Sequence, residues 1–430
     1  MTSTEDRLRA ATRAAAGTVA PGTAPPLHLP DRQERRGGLP SLRRRRWPGW
    51  MAPLAAAASV AAVLAGTLTV TGMFHGHQPG RPAVPGTVPL RSAPPFAHGP
   101  VPPYAVTLLP DRLWANPGTR AEVVATATGA VLATVRPPAP YASFTWVTAA
   151  GDDRSFVLAA HSQVPQSASM PETSGATGFF VLRLDPSAGT ARLSALPIPL
   201  IKDIPRLGDT ITGVALSPDG SKLAVASGPV GGRSVMRVFS TATGSARAWT
   251  ATGRSYISAD RLGANPLSWT ADGRTLAFDA ETGLNIEVRL LDTGAPGENL
   301  WASTRVLTFT NWPGGSVAGS AIITPDGARI VAMAVPGGGR AGPTQIRVNE
   351  FSVGTAKLLG ALDVLHYRKG EITGWPDVEW TDPSGSTLIV SATRPGARPA
   401  PHGGLTARVN GVISRGRFTV LPEIPGDPAW

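Results

Sequence analysis

The 430-residue chain carries a formal net charge of +11, with 49 Gly, 43 Pro and no Cys. Without cysteine, disulfides, thiolate metal sites and cysteine nucleophiles are excluded. The charge is uneven: residues 1–50 hold +6 and residues 75–103 hold +2, whereas residues 104–430 hold only +3, from 28 basic and 25 acidic side chains. That last balance argues against a nucleic-acid-binding face on the long C-terminal part, which would need concentrated basic charge.

In chain order, Ser3 and Asp6 resemble a helix-capping pair, and Leu8, Ala11, Ala15 and Val19 follow near helical spacing. This predicts a short helix over about 4–19 in an otherwise disordered basic tail. Pro21, Pro25, Pro26 and Pro30 stop the helix and extend the chain. The tail ends in Arg43, Arg44, Arg45 and Arg46, followed by Trp47 and Trp50.

Residues 51–74 contain no Asp, Glu, Lys, Arg or His. A bilayer core is crossed by about 20 apolar residues in a helix, so this segment is long enough to span once. Arginines flanking a span stay on the cytoplasmic side, which places the tail inside and the rest of the chain outside. Each arginine near anionic headgroups adds about 1 kcal/mol of attraction. A cleaved secretory signal is the rival reading. It would need an unusually long basic region, and Thr71-Gly72-Met73-Phe74 is a poor cleavage site. Trp-Pro-Gly-Trp at 47–50 likewise does not resemble the continuation of a twin-arginine export signal. A retained anchor is expected.

Residues 75–103 include nine Pro. This composition favours an extended polyproline spacer without helix or sheet.

One pattern then recurs through 104–430. Ser217-Pro218-Asp219-Gly220 precedes Leu223-Ala224-Val225-Ala226, and Thr270-Ala271-Asp272-Gly273 precedes Thr275-Leu276-Ala277-Phe278. Thr324-Pro325-Asp326-Gly327 precedes Ile330-Val331-Ala332, and Asp382-Pro383-Ser384-Gly385 precedes Leu388-Ile389-Val390. A looser copy runs from Phe144-Thr145-Trp146 through Asp152-Asp153-Arg154 to Phe156-Val157-Leu158. Each copy reads strand, tight turn, strand. Pro fixes φ, Asp bonds the nearby backbone and Gly accepts positive φ. The flanking strands are nearly continuous apolar runs, as in strands buried on both faces. The turn glycines 220, 273, 327 and 385 lie 53, 54 and 58 residues apart. Each copy continues into a second hairpin, turning for example at Thr128-Gly129, Ala188-Gly189, Thr243-Gly244, Thr293-Gly294 and Val353-Gly354. A repeat of this length with about four strands per unit predicts an all-β propeller. Five full units and a first unit of about three strands give six blades, or seven if 109–120 holds a further strand.

The Ser-Pro-Asp-Gly turn, the basic residue after it and the short apolar strand resemble TolB-type and WD-repeat-like propellers. The whole chain is similar to membrane-anchored actinobacterial proteins of that sort. The resemblance covers 104–430, and the Trp-Asp dipeptide that ends a true WD repeat is missing. It implies blades and carries almost no functional information, because such propellers host binding, scaffolding and some enzymes.

Few side chains suggest chemistry. Asp219, Asp272 and Asp326 could form an acidic ring but are expected to hold blade corners. Trp146, Trp269 and Trp380 are read as one inner-strand position, wedged between blades. Glu379, with Thr145 and Ser268 as its equivalents, is expected to face the central channel. The paired segments Asn311-Trp312-Pro313-Gly314 and Gly374-Trp375-Pro376-Asp377 fall between blades, where Trp312 and Trp375 could offer flat surfaces to a sugar, peptide or cell-wall stem. The seven His are scattered, and no HExxH, P-loop or GxSxG pattern occurs. No cofactor or metal is expected.

The sequence therefore divides into a cytoplasmic tail (1–50), a transmembrane helix (51–74), a Pro-rich linker (75–103) and a propeller (104–430). The expected role is non-enzymatic binding, scaffolding or sensing at the cell envelope, with a protein or cell-wall ligand and no nucleic acid on the propeller. Two alternatives stand beside it: a tethered regulator whose basic tail holds a cytoplasmic partner such as a transcription factor, and a propeller-borne hydrolase or lyase.

Overall fold

The computed structural model describes residues 86–93, 101–109, 120–163, 175–203, 211–228, 233–251, 256–257, 267–282, 285–295, 298–310, 317–335, 344–368, 376–395, 408–424, 426 and 428–430. All belong to one compact unit, Pro79–Trp430; the other unit, Met1–Gln78, lies outside the described residues. The expected helix at 4–19, the arginine run at 43–46 and the apolar segment at 51–74 therefore also lie outside them. Among the described residues, no helix is long and apolar enough to cross a membrane.

The apolar runs form strands that bury both faces. In Lys222–Ser227, Leu223 and Val225 pack toward the preceding sheet, and Ala224 and Ala226 toward the following one. The same split holds in Thr387–Thr393, where Leu388, Val390 and Ala392 face one neighbour and Ile389 the other. Side chains alternate along a strand, so a continuous apolar run serves two seams at once.

Six antiparallel sheets result. Blade 1 comprises Tyr104–Leu109, Arg120–Ala125 and Val131–Val135; blade 2 comprises Ser143–Ala149, Ser155–Gln163, Gly175–Asp185 and Thr190–Ala195. Blade 3 comprises Ile211–Leu216, Lys222–Ser227, Ser234–Ser240 and Ala246–Ala251; blade 4 comprises Leu267–Trp269, Thr275–Thr282, Asn285–Asp292 and Thr304–Thr310. Blade 5 comprises Val317–Ile323, Arg329–Val335, Thr344–Ser352 and Leu358–Tyr367; blade 6 comprises Asp377–Thr381, Thr387–Thr393, Arg408–Ser414 and Arg417–Val420. From blade 2 to blade 6 the first strands of successive blades adjoin, which places them innermost. The described helical content is one 3-10 turn, Leu300–Ala302, capped by Asn299, whose side chain accepts from Trp301 N–H.

Six apolar clusters fill the six seams, one between each pair of neighbouring blades. The sixth closes the ring. Blade 1 has three strands of its own, and Ala429 lies against the first of them, exchanging two hydrogen bonds with Val106, both 2.9 Å. Trp430 is buried, and its Nε1 donates to Thr126 Oγ1 at 3.2 Å. Leu421, Ile424 and Trp430 thereby join Ile389 and Val412 of blade 6 to Ala105 and Val124 of blade 1.

One expectation is corrected. Within the segment read as a sheet-free linker, Gly86–Pro89 forms a strand antiparallel to Thr190–Ala195, a fifth strand on the outer edge of blade 2. Leu90 follows it into the seam between blades 1 and 2, and Leu90 N–H donates to Gly189 O at 2.8 Å. Proline density describes the segment on average, but Gly-Thr-Val-Pro-Leu holds its one Pro at the strand's end, where a missing N–H is tolerated on an edge. We call this strand the strap.

Candidate functional site

The two ends of the ring are built differently. At the corner end, each Asp of the repeated turn is consumed by its own turn. Asp219 Oδ1 accepts from Ser217 Oγ at 2.6 Å and Ser221 N–H at 3.0 Å. Asp272 accepts from Thr270 Oγ1 at 2.6 Å and Arg274 N–H at 2.9 Å, and Asp326 from Thr324 Oγ1 at 2.5 Å and Ala328 N–H at 2.9 Å. These bonds favour the ionised carboxylate and hold Asp272 and Asp326 below the usual range. At Asp219 burial pushes upward, and the Ser217 and Ser221 bonds outweigh it. The glycines that complete these turns have φ of +70°, +60° and +73° at 220, 273 and 327.

The corners are also tied to one another. Gly151 N–H donates to Pro218 O at 2.9 Å, Ala271 N–H to Pro325 O at 2.6 Å, and Asp326 N–H to Pro383 O at 3.2 Å. Lys222 Nζ reaches Gly273 O at 2.8 Å. Each of these bonds joins one blade to the next, so the corner aspartates belong to a structural belt and do not form a ligand-binding ring.

At the opposite end run the connections from second to third strand and from blade to blade. Trp312 and Trp375 are in two of the latter and lie outside the described residues. The three inner-strand tryptophans do pack in seams, but not at one position. Trp269 pairs with Leu276 and faces blade 3, donating its Nε1 hydrogen to Ala215 O at 3.1 Å. Trp146 pairs with Ala159 and faces blade 3; Trp380 pairs with Ile389 and faces blade 1. Trp146 and Trp380 thus point to the following blade and Trp269 to the preceding one, because Trp269 directly precedes its corner residue Thr270, whereas Trp380 stands two residues before Asp382 and Trp146 four before Ala150, and side chains alternate along a strand.

The presumed equivalents of Glu379 diverge as well. Ser268 Oγ accepts from Ile323 N–H of blade 5 at 2.9 Å, and Thr145 Oγ1 donates to Ala159 O at 3.4 Å. Glu379 instead belongs to a part-buried ionic cluster on the face of blade 6 that meets blade 1. Arg408 Nη2 lies 2.9 Å from Asp377 Oδ2 and 3.4 Å from Glu379 Oε1. Ser391 Oγ donates to Glu379 and accepts from Arg408. Asn410 stands opposite Ser391 on the third strand, and its amide donates to Ile424 O at 3.5 Å, linking the cluster to the ring-closing segment. Ser391 is fully buried, so its hydroxyl is not presented to a substrate. Two carboxylates share one guanidinium, and the charge pairing locks the entry of the innermost strand directly after Trp375-Pro376. Among the described residues no group of His, Asp and Glu is arranged to hold a metal ion.

The sequence reading missed this cluster because Arg408 lies 31 residues beyond Asp377. The available signal was the pair Asp377 and Glu379 opening a strand whose counterparts in the other blades carry no charge.

These strands, seams and belts define a six-bladed β-propeller. No family model matches the chain, and no curated protein sequence does. Among solved structures, TolB from Acinetobacter baumannii is similar over 76% of this chain and 65% of its own, at 17% identity and a TM-score of 0.44. A protein assigned as TolB from Agrobacterium tumefaciens is similar over 74% of this chain and 87% of its own, at 14% identity and a TM-score of 0.40. Prolyl oligopeptidase B from Galerina marginata is similar over 66% of this chain and 38% of its own, at 14% identity and a TM-score of 0.35 for the free protein. The chain thus spans about two thirds of the Acinetobacter protein, and the assignment as a propeller rests on its own strand pairing.

Proposed function

We propose that this chain is a single-pass membrane protein whose extracytoplasmic propeller works by binding, as a scaffold or sensor for a protein or cell-wall ligand. The observation that carries the reading is the asymmetry of the ring. One end is closed by short turns bonded into a belt. The other end bears the longer connections, with 11 and 14 residues between the second and third strands of blades 2 and 6, and 10 between Tyr104–Leu109 and Arg120–Ala125 of blade 1. Variable loops on a rigid frame are where binding residues collect. Trp312 and Trp375 fall in two connections of this end, and Trp375 precedes by two residues Asp377, which pairs with Arg408. The apolar, uncharged stretch 51–74 behind four arginines supplies the anchor.

Two measurements test this. A C-terminal alkaline phosphatase fusion is active if the propeller lies outside the cytoplasm; activity only of a cytoplasmic reporter reverses the orientation. Trp312→Ala and Trp375→Ala lose about 2 kcal/mol or more of ligand affinity as hot spots, with melting unchanged. If both melt as low as Trp269→Ala, they are core residues and the site assignment fails. The basic tail supports a second role, holding a cytoplasmic partner, which a pull-down with residues 1–50 against residues 104–430 separates from binding by the propeller.

A further inference from the structure

We infer that the outer wall of blade 2, beside the strap, docks on an anionic lipid surface through Arg183 and Arg192. The inference rests on reading 51–74 as a membrane span. Two observations carry it.

The first is charge. Arg183 and Arg192 stand directly opposite each other on neighbouring strands, and Arg192 is opposite Thr87 of the strap. Both arginines are exposed on the face away from blade 1; Arg91, also exposed, follows Leu90 on the blade 1 side, where its N–H donates to Leu132 O. Like charges directly opposite on a sheet repel. On blade 4, where Arg289 and Arg305 also stand opposite each other, the structure neutralises the pair with Glu287, and Arg347 pairs with Asp363 and Arg274 with Asp292. Neither Arg183 nor Arg192 has an ion-pair partner among the described residues. The carboxylate on the same face, Asp185, is occupied by Ser187 Oγ at 2.5 Å and Ala188 N–H at 3.0 Å. The missing counter-charge is supplied from outside the molecule.

The second is the tether. A free linker would have run from residue 75 to blade 1. The strap shortens it to residues 75–85, which reach at most about 40 Å when fully extended. The chain therefore joins the ring at the wall of blade 2, and not at either of its two ends. Phosphate headgroups beside the span are the nearest dense source of negative charge. Docking by this wall leaves the end that carries Trp312 and Trp375 open to a ligand.

The experiment uses the full-length chain reconstituted in vesicles. Because the protein has no cysteine, Thr87→Cys takes a fluorophore at the strap alone, and Leu359→Cys places one on blade 5, across the ring. A small fraction of headgroup-quencher lipid reports proximity. In vesicles containing phosphatidylglycerol, the label at 87 is quenched more strongly than the label at 359. That difference falls in phosphatidylcholine vesicles, at high salt, and in Arg183→Gln/Arg192→Gln, where each lost charge lowers the docked population about fivefold. Equal quenching at 87 and 359, or quenching at 87 that is indifferent to lipid charge or survives the double substitution, overturns the inference. Failure of the span is seen separately: the wild-type chain would then not float with phosphatidylcholine vesicles at high salt.

Discussion

At Asp292 the Arg274 guanidinium donates twice, at 3.0 and 2.9 Å, and Gly294 N–H donates at 2.8 Å. The Arg274 bonds first, and then the Gly294 bond, hold this carboxyl at a pKa of about 2. An aspartate depressed in this way stabilises the folded state fully above its unfolded value near 3.9 and loses that contribution as pH falls through the folded value. The melting temperature of the wild type should therefore exceed that of Asp292→Asn by a constant gap at neutral pH, and the gap should close between about pH 4 and about pH 2. A gap unchanged down to pH 2 would show that the Arg274 pair contributes only shape. Corner glycines act through conformation instead. Gly244 has φ +72°, and a Cβ there would come within 1.9 Å of Pro197 O. Gly244→Ala is expected to cost more than the roughly 1 kcal/mol of a strained left-handed residue, read as a shift in the denaturant midpoint at unchanged slope.

Among the elements, the strap is the least expected. It pairs through four residues with the edge of blade 2, and Leu90 is the side chain that seats it in the seam. Leu90→Ala should cost about 2–3 kcal/mol if the strap is integral to the domain, and hydrogen exchange should rise at Thr190–Ala195. Loss of stability without that local rise would place the effect elsewhere in the seam. Strands and turns were legible because period, turn chemistry and apolar runs are local properties. The blade corners could be read from Pro, Asp and Gly alone. The strap and the pairing of Asp377 with Arg408 were not legible, because each depends on contacts between residues far apart in sequence. The facing of the tryptophans was open to reading: Trp269 stands one residue before its corner, Trp380 two and Trp146 four, and alternation along a strand sends the last two to the opposite seam. The candidate loops were recognised as connections from the strand pattern, and the charge cluster at the start of blade 6 was not.

For the whole molecule, closure is the decisive property, because an open ring would leave the apolar faces of blades 1 and 6 bare. Successive blades elsewhere are joined through the chain itself, whereas the seam between blades 6 and 1 is held by the return of residues 421–430. Its apolar cluster takes Leu421, Ile424 and Trp430 from that return, and Asn410, opposite Ser391 of the Asp377–Arg408 network, bonds Ile424 O. Trp430 therefore carries a disproportionate share of closure: it fills the seam, and its indole bonds Thr126 in blade 1. Trp430→Ala should cost about 3–5 kcal/mol, the range for a buried Trp. Trp269→Ala, in the seam between blades 3 and 4, should cost a similar amount, so stability alone does not distinguish them. The place of opening does. Trp430→Ala should raise hydrogen exchange in Tyr104–Leu109, which loses its neighbour Ala429, and in Arg408–Ser414, while blades 3 and 4 stay protected. Trp269→Ala should do the reverse. If Trp430→Ala instead raises exchange evenly around all six blades, the ring is not opened at that seam, and the C-terminal segment is a passenger on blade 1 without a role in closure.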